Sequence, residues 1–167
     1  MLPVLAVILL SILQFGILFS AQVGITNAVR EAVRNASAIP VATAANAGTA
    51  ANSVYLRLTD STTGLLKRNG SGYSVSALVT GGSPPTTQVC YYSYTDATGG
   101  ISIMARVQVE YRHPLFIPLI SQILDGFDGV PNDQAYRLGT SEEIRVSNGQ
   151  LSGAGGIGGS GSPTCNS

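Results

Sequence analysis

Charged side chains are scarce in this sequence of 167 residues. They make up 11% of the chain, with nine basic and nine acidic residues, whereas an average soluble domain carries about 25%. Tryptophan is absent, and no run of Lys or Arg occurs. A nucleic-acid surface needs a basic patch, often with aromatic residues between the charges. We therefore expect no nucleic-acid partner.

Histidine and cysteine are almost as rare, with one histidine, His113, and two cysteines, Cys90 and Cys165. These three residues do not have the spacing of a zinc site. We therefore predict no metal and no cofactor. In an oxidising compartment, Cys90 and Cys165 can form a disulfide that ties the C-terminus to a strand. Two free thiols are the alternative, because the sequence gives no geometry for the pair.

A catalytic constellation is also missing from the sequence. His113 precedes Pro114 at the end of a predicted strand, and no nucleophile elbow surrounds any serine. Glu142 and Glu143 are neighbours, so they point to opposite faces if their segment is a strand. We predict that the protein is not an enzyme and has no small-molecule substrate.

The sequence does contain one long apolar stretch at its start. Residues 1–29 carry no ionisable side chain, and residues 2–21 read LPVLAVILLSILQFGILFSA. About 20 apolar residues in a helix span the hydrocarbon core of a bilayer, so we predict a transmembrane helix over residues 1–22. A cleaved signal peptide is the alternative. The stretch lacks a basic start, exceeds the usual length and continues into a helical pattern, which favours a retained anchor.

The next segment, residues 23–51, has the pattern of an amphipathic helical stem. Its apolar residues recur at three- and four-residue spacings, and they are Val23, Ala28, Val29, Ala32, Val33 and Ala36. Pro40 interrupts the pattern, because proline removes a backbone donor and clashes with the preceding turn. We predict a second, alanine-rich helix over residues 42–51.

Residues 52–148 have the pattern of a small antiparallel sheet domain. Strict alternation over residues 101–111 predicts a half-buried strand. Glycine- and proline-containing turns separate it from predicted strands at residues 73–79 and 88–94, and residues 142–147 are a candidate last strand. The apolar segment after Pro114 is either a core helix or a membrane- or partner-contacting segment. The Gly/Ser-rich residues 149–167 are predicted to be a disordered tail. The fold class is therefore α+β.

Two short elements of the N-terminal helix resemble a known family. Gln14-Phe15-Gly16 ends the apolar stretch, and Asn27-Ala28-Val29-Arg30-Glu31-Ala32-Val33-Arg34 follows it. This arrangement is similar to the start of TadE-like proteins, which are minor pilins or pseudopilins of the Flp/Tad tight-adherence pilus system. Gln14 replaces an acidic residue of the family pattern. A weaker similarity extends to about Asn148, through residues 107–119 and 144–146.

The resemblance implies a non-catalytic role in assembling an Flp-type pilus, an adhesion apparatus or a secretion apparatus. The implied partners are the bilayer, other pilin or pseudopilin subunits and inner-membrane pilus-assembly proteins. The implied location is the bacterial inner membrane, with one span and an extracytoplasmic C-terminal domain. By the positive-inside rule, Arg30 and Arg34 favour the opposite orientation. The alternative function is a generic anchored binding protein, such as an adhesin or a secretion accessory protein.

The family also has a short basic leader and a cleavage element for a prepilin peptidase. The printed chain begins inside the apolar stretch, at Met1-Leu2-Pro3. We therefore expect either that translation starts upstream or that this copy is not processed. Basic residues upstream of Met1 would also restore the orientation in which the N-terminus lies inside.

Overall fold

A computed structural model of the protein describes residues 2–41, 43–59, 68–69, 72–73, 86–115, 135–146, 157–159 and 161–166. Its elements in chain order are α1 (Leu2–Ala38), α2 (Ala44–Thr59), β1 (Arg68–Asn69), β2 (Gly72–Tyr73), β3 (Thr86–Thr95), β4 (Ile101–Pro114), β5 (Ala135–Arg145) and β6 (Thr164–Cys165). The predicted strand over 73–79 lies outside the described residues except for Tyr73. The apolar segment after Pro114 lies outside them beyond Leu115.

Helix α1 ends at Ala38 because the chain approaches a proline. A residue before proline is pushed out of the helical region, and Ile39 is in that position. Helix α2 starts after Thr43, whose hydroxyl accepts the backbone N–H of Asn46 at 3.2 Å, as an N-cap does. The predicted interruption at Pro40 is present. Helix α2 runs past the predicted end at residue 51, so the helical part crosses the predicted domain boundary.

The main sheet has four strands in the order β5-β4-β3-β6, and each neighbouring pair is antiparallel. Strands β3 and β4 form a hairpin whose turn is held by the Asp96 carboxylate, which accepts the N–H groups of Thr98 at 2.9 Å and Gly100 at 2.7 Å. Gly99 has a φ of 83°, a conformation that glycine adopts without steric cost. The predicted antiparallel sheet is confirmed.

Strand β5 and the C-terminal end differ from the sequence prediction. Strand β5 begins at Ala135 rather than at Glu142, because its residues pair with the long strand β4 from Ala135↔Pro114 to Arg145↔Met104. Part of the tail that was predicted to be disordered is ordered. Strand β6 pairs with β3 there, and Ser93 donates its N–H to the carbonyl of Gly158 at 2.8 Å.

The core lies between the two helices and one face of the sheet. Alternate residues of β4 are fully buried on that face, and they are Ile103, Ala105, Val107, Val109, Tyr111 and His113. Val89 and Tyr91 of β3 join them, and Ala47, Ala51, Val54 and Leu58 of α2 pack onto the same core. The arrangement confirms the α+β fold class with a long N-terminal helix.

Candidate functional site

The first part of α1 stands clear of the rest of the protein. Residues 3–13 are exposed apart from the half-buried Ser11, although nearly all of them are apolar. The exposed large side chains are Val4, Leu5, Val7, Ile8, Leu9, Leu10, Ile12 and Leu13. Among the described residues, α1 is the one helix that is long and apolar enough to cross a membrane. It fits a single-pass membrane anchor.

The second part of α1 buries one face against the sheet. The buried positions recur every three or four residues, as expected for one stripe of a helix, and they are Gln14, Leu18, Ala21, Ile25, Ala28, Val29, Ala32, Val33 and Ala36. Val23, which the sequence pattern placed on the apolar face of the stem, is 59% exposed. The amphipathic stripe therefore starts earlier than predicted, at Gln14, and Val23 lies outside it.

The first family-like element marks the point where α1 meets the sheet. Gln14 is 1% exposed, whereas the neighbouring Phe15 is 42% exposed. Gly16 is exposed, and a Cβ added there would meet nothing within 4 Å. The sequence pattern presents Gln14 as a polar break in an apolar span. The structure instead buries it within the folded protein.

The second family-like element divides its residues between two faces of α1. Ala28 is buried, whereas Asn27, Arg30, Glu31 and Arg34 are exposed. The Arg30 guanidinium lies 3.7 Å from the Glu142 carboxylate of β5. Glu31 accepts a hydrogen bond at 3.4 Å from the amide of Asn35. These charged side chains lie on the surface beside the helix, and the structure does not gather them into one cluster.

Asn35 extends this surface network to the second helix. Its amide oxygen accepts a hydrogen bond at 3.4 Å from the Arg57 guanidinium of α2. Both hydrogen bonds of this Glu31–Asn35–Arg57 chain are exposed to solvent. Exposed pairs of this kind contribute about 0–1 kcal/mol, so they orient α1 and α2 rather than hold them together.

The end of the sheet nearest Gln14 carries the single histidine. His113 is fully buried, neither ring nitrogen has a hydrogen-bond partner among the described residues, and its ring centroid lies 5.9 Å from that of Tyr111. Burial lowers the pKa of His113 to about 4, because the charged form is poorly solvated there. At neutral pH the buried imidazole is therefore uncharged.

Beside this end, a cavity of about 360 Å³ separates α1 from β5. Phe15, Leu18, Phe19 and Gln22 line it from the helix, and residues 136–139 line it from the strand. The helix side is apolar except for Gln22. Tyr136 lies on the face of β5 that is turned towards the helices, whereas the side chain of Arg137 pairs with Glu110 on the opposite face.

The three tyrosines of β3, Tyr91, Tyr92 and Tyr94, are divided between its two faces. Tyr91 points into the core and donates its hydroxyl to the carbonyl of Ala36 at 3.1 Å, and burial raises the pKa of Tyr91 to about 12. Tyr94 is 55% exposed. Tyr91 is therefore part of the core, whereas Tyr94 lies on the surface.

Tyr92 belongs to a charged cluster on the outer face of the sheet. It donates its hydroxyl to Glu143 at 2.7 Å, and the guanidinium of Arg106 lies 5.3 Å above its ring. Arg106 also donates to Glu143. The hydrogen bonds from Tyr92 and Arg106 lower the pKa of Glu143. The cluster ties β3, β4 and β5 together from the side opposite the helices.

The two cysteines are joined in the structure. Cys90 and Cys165 face each other in the β3–β6 pair and form a disulfide with an S–S distance of 2.07 Å. The bond closes a sequence separation of 75 residues, for which the chain-entropy model gives roughly 4 kcal/mol of stabilisation. Asn166 adds a side-chain contact, accepting the N–H of Val89 at 2.7 Å.

The comparison with protein families concerns the N-terminal helix α1. The family model described as TadE-like protein matches residues 1–34. The N-terminal segment of this chain is TadE-like. The TadE-like segment contains both family-like elements and ends four residues before α1 does, at Arg34 instead of Ala38. No curated protein and no solved structure matches the chain.

The TadE-like segment therefore coincides with a single structural element. It takes in the part of α1 that stands clear of the sheet and most of the part that packs on it. Residues 35–167, including α2, the sheet and the disulfide, lie outside the match. Within the part of the chain that the structure describes, no group of three or more His, Cys, Asp or Glu residues could hold a metal ion.

Proposed function

We propose that this protein is a non-catalytic minor pilin or pseudopilin that takes part in assembling an Flp-type pilus or a related adhesion or secretion apparatus. The observation that supports the proposal is the TadE-like match to residues 1–34, which coincides with α1. The name of the family suggests a protein associated with the Tad pilus. The architecture, an apolar helix that continues into a packed domain, suits such a subunit.

In this proposal, α1 is stored in the inner membrane and the sheet domain lies on the extracytoplasmic side. A helix satisfies all its backbone groups internally, so it is stable in hydrocarbon. It can later leave the bilayer if other apolar helices replace the lipid around it. The exposed side chains of residues 3–13 provide the surface for both environments. The disulfide is consistent with an oxidising, extracytoplasmic compartment.

Small residues on α1 have two different uses in this proposal. Ala21 and Ala28 are buried against the sheet, so their size is needed within one molecule. Gly16 has open space around its Cα and is available for close approach by a helix of another subunit. A substitution at Gly16 is therefore expected to affect packing between subunits without affecting packing inside one molecule.

The test is photo-crosslinking in the native host after deletion of the gene and complementation. A benzophenone amino acid replaces Phe19, which is 69% exposed on α1, or Tyr94, which is 55% exposed on the sheet. We expect deletion to reduce surface pili and position 19 to capture a pilus subunit or an assembly-platform protein. Tyr94 is the matched control for an exposed aromatic position away from α1.

Three outcomes would contradict the proposal. If deletion leaves pili unchanged and position 19 captures only lipid, the protein is an anchored envelope protein of another kind. If deletion leaves pili unchanged but abolishes adhesion, the generic anchored binding protein becomes the better description. Loss of a chemical activity on His113→Ala would contradict the non-catalytic part, since the buried imidazole is expected to affect stability only.

A further inference from the structure

The two long strands nearest the edges of the main sheet are protected in different ways. Strand β5 carries four charged residues, Arg137, Glu142, Glu143 and Arg145, and charges on an edge discourage a further strand. Strand β3, TTQVCYYSYT, has no charge, glycine or proline. An exposed edge of this composition pairs readily with another strand. Residues 157–159 and 161–166, which we call the C-terminal segment, cover β3 instead.

The C-terminal segment is bound to β3 through backbone hydrogen bonds at both of its ends. Ser93 donates its N–H to the carbonyl of Gly158 at 2.8 Å. Asn166 donates its N–H to the carbonyl of Val89 at 2.9 Å, and its side-chain oxygen accepts the N–H of Val89 at 2.7 Å. Ile157 is 5% exposed and joins the core. The segment is therefore seated on β3 by specific contacts in addition to the disulfide.

A turn inside the C-terminal segment gives it a defined shape. Ser162 donates its N–H to the carbonyl of Gly159 at 2.9 Å. A Cβ added at Gly158 would overlap the carbonyl oxygen of Ser162, whereas a Cβ added at Gly161 would meet nothing within 4 Å. Glycine is therefore required at position 158 for the segment to keep this shape, and it is not required at position 161.

The contacts of the C-terminal segment do not require that β3 belongs to the same chain. Ten residues, 147–156, separate Val146 from Ile157, and a connection of that length spans at most about 40 Å. A small domain is about 30 Å across. Because α1 fits a single-pass anchor, copies in one bilayer present their sheet domains side by side. The segment of one copy can therefore reach β3 of a neighbour.

We propose that two copies of the chain exchange their C-terminal segments, so that the segment of one copy is seated on β3 of the other and Cys165 is bonded to Cys90 across the two chains. The segment of a second copy offers β3 the same hydrogen bonds, the same buried Ile157 and the same cysteine as the chain's own segment. It is thus the occupant whose fit to β3 the structure already contains. This exchange is independent of any role in a pilus.

The exchange of the disulfide needs a small thiol but consumes none. The thiolate of the small thiol attacks the Sγ atom of Cys165, and Cys90 leaves as a thiolate. The Cys90 thiolate of a second copy, opened in the same way, then attacks Cys165 of the first copy and releases the small thiol. Each disulfide that breaks is replaced by one that forms. No oxidant or reductant is therefore used up.

Two complementary variants make the exchange measurable. Cys90→Ser keeps Cys165, and Cys165→Ser keeps Cys90, so a Cys90–Cys165 bond between them joins two chains. The full-length variants carry different tags, are reconstituted together in phosphatidylcholine vesicles and are treated with oxidised glutathione. We expect a mixed dimer on a denaturing gel without reductant. Gly158→Ala in the copy that keeps Cys165 is expected to reduce the yield of this dimer roughly tenfold. Gly161→Ala, the matched control, should leave the yield unchanged.

The wild-type chain provides a second measurement that does not depend on the serine variants. Ordinary and isotope-labelled copies are reconstituted in the same vesicles and incubated with a glutathione redox buffer. Mass spectrometry then identifies the peptides that are linked through Cys90 and Cys165. We expect linked peptides with one ordinary and one labelled half, in a fraction that rises with the ratio of protein to lipid. Copies kept in separate vesicles should give none.

Two results would overturn the proposal. Linked peptides that are all ordinary or all labelled would show that the C-terminal segment stays on its own chain. Equal yields of the mixed dimer with Gly158→Ala and Gly161→Ala would show that the cysteines meet by collision, without a seated segment. The vesicles contain no pilus proteins, so neither result depends on the proposed pilus function.

Discussion

The two parts of α1 use the same kind of residue for opposite purposes. Residues 3–13 expose their apolar side chains on all sides, whereas from Gln14 onward the helix buries one stripe against the sheet. Both parts are apolar and lack charge up to Val29. Composition therefore does not distinguish the part of an anchor that faces lipid from the part that forms a protein core. The sheet makes that distinction, by covering only the second part.

The comparison is tested most strongly by removing the same atoms from each part. Ile25 is fully buried and Ile12 is 62% exposed. We expect Ile25→Ala to lower the free energy of unfolding by about 2–5 kcal/mol, as large-to-small core changes do, and Ile12→Ala to change it by less than about 0.5 kcal/mol. The measurement is urea unfolding in detergent, followed by tyrosine circular dichroism. Equal losses would show that the two parts are packed alike.

Acid should weaken the packed part through His113, which lies at the sheet end where packing starts. The unfolded chain takes up a proton as the pH falls through 6.5, whereas the folded protein resists it until about pH 4. The contribution of His113 to stability is therefore expected to fall between pH 6.5 and 4, by at most about 3–4 kcal/mol, and to level off below pH 4. His113→Leu should flatten this slope in thermal unfolding. An unchanged slope would mean that other groups cause the acid sensitivity.

Enlarging an alanine side chain in each part of α1 tests the same difference in packing. Ala21 is fully buried on the packed part, and Ala6 is exposed on the part that stands clear. Ala21→Leu overfills a close helix–sheet contact and is expected to cost about 1–3 kcal/mol, whereas Ala6→Leu should be neutral in the same urea experiment. If Ala21→Leu were tolerated as well as Ala6→Leu, the helix and sheet would be less closely packed than the structure shows.

The smallest effect is expected from the ion pair between Arg30 and Glu142. Both side chains are largely exposed, at 67% and 41%, so the pair is screened by solvent. A double-mutant cycle with Arg30→Gln and Glu142→Gln should give a coupling energy of about 0.2–1 kcal/mol that decreases with added salt. A coupling well above this range would make the family-like Arg30 a structural residue instead of a surface one.

Local patterns in the sequence predicted most of the fold. The end of α1 at Pro40 and the alternation of β4 follow from proline geometry and from the two-residue period of strands. The sequence pattern missed the first part of strand β5, because residues 135–141 include Gly139 and exposed polar side chains. These residues are extended through their pairing with β4. The length of helix α2 was underestimated, although Val54 and Leu58 continue its buried stripe beyond residue 51.

The candidate site was less predictable, because it depends on contacts between distant segments. Gln14 is a polar residue within an apolar span, and its burial is visible only in the folded structure. The disulfide pairs residues that are 75 positions apart, and spacing alone does not fix such geometry. Phe15 and Phe19 were visible as apolar residues, but their position beside Tyr136 required the packing of α1 on β5.

Two adjacent residues of strand β3 contact the two ends of the protein: one contacts the end of the anchor helix and the other contacts the C-terminal segment. Tyr91 holds the carbonyl of Ala36 on one face, and Cys90 is bonded to Cys165 on the other. The Tyr91–Ala36 hydrogen bond therefore gives tension on α1 one route into β3, and through the disulfide to the last residues of the chain, beside the backbone that continues into α2. The hydrogen bonds along this path are individually weak, at about 1 kcal/mol each, and the disulfide is covalent. Under a pulling force, the C-terminal end is thus the last part to separate from the sheet.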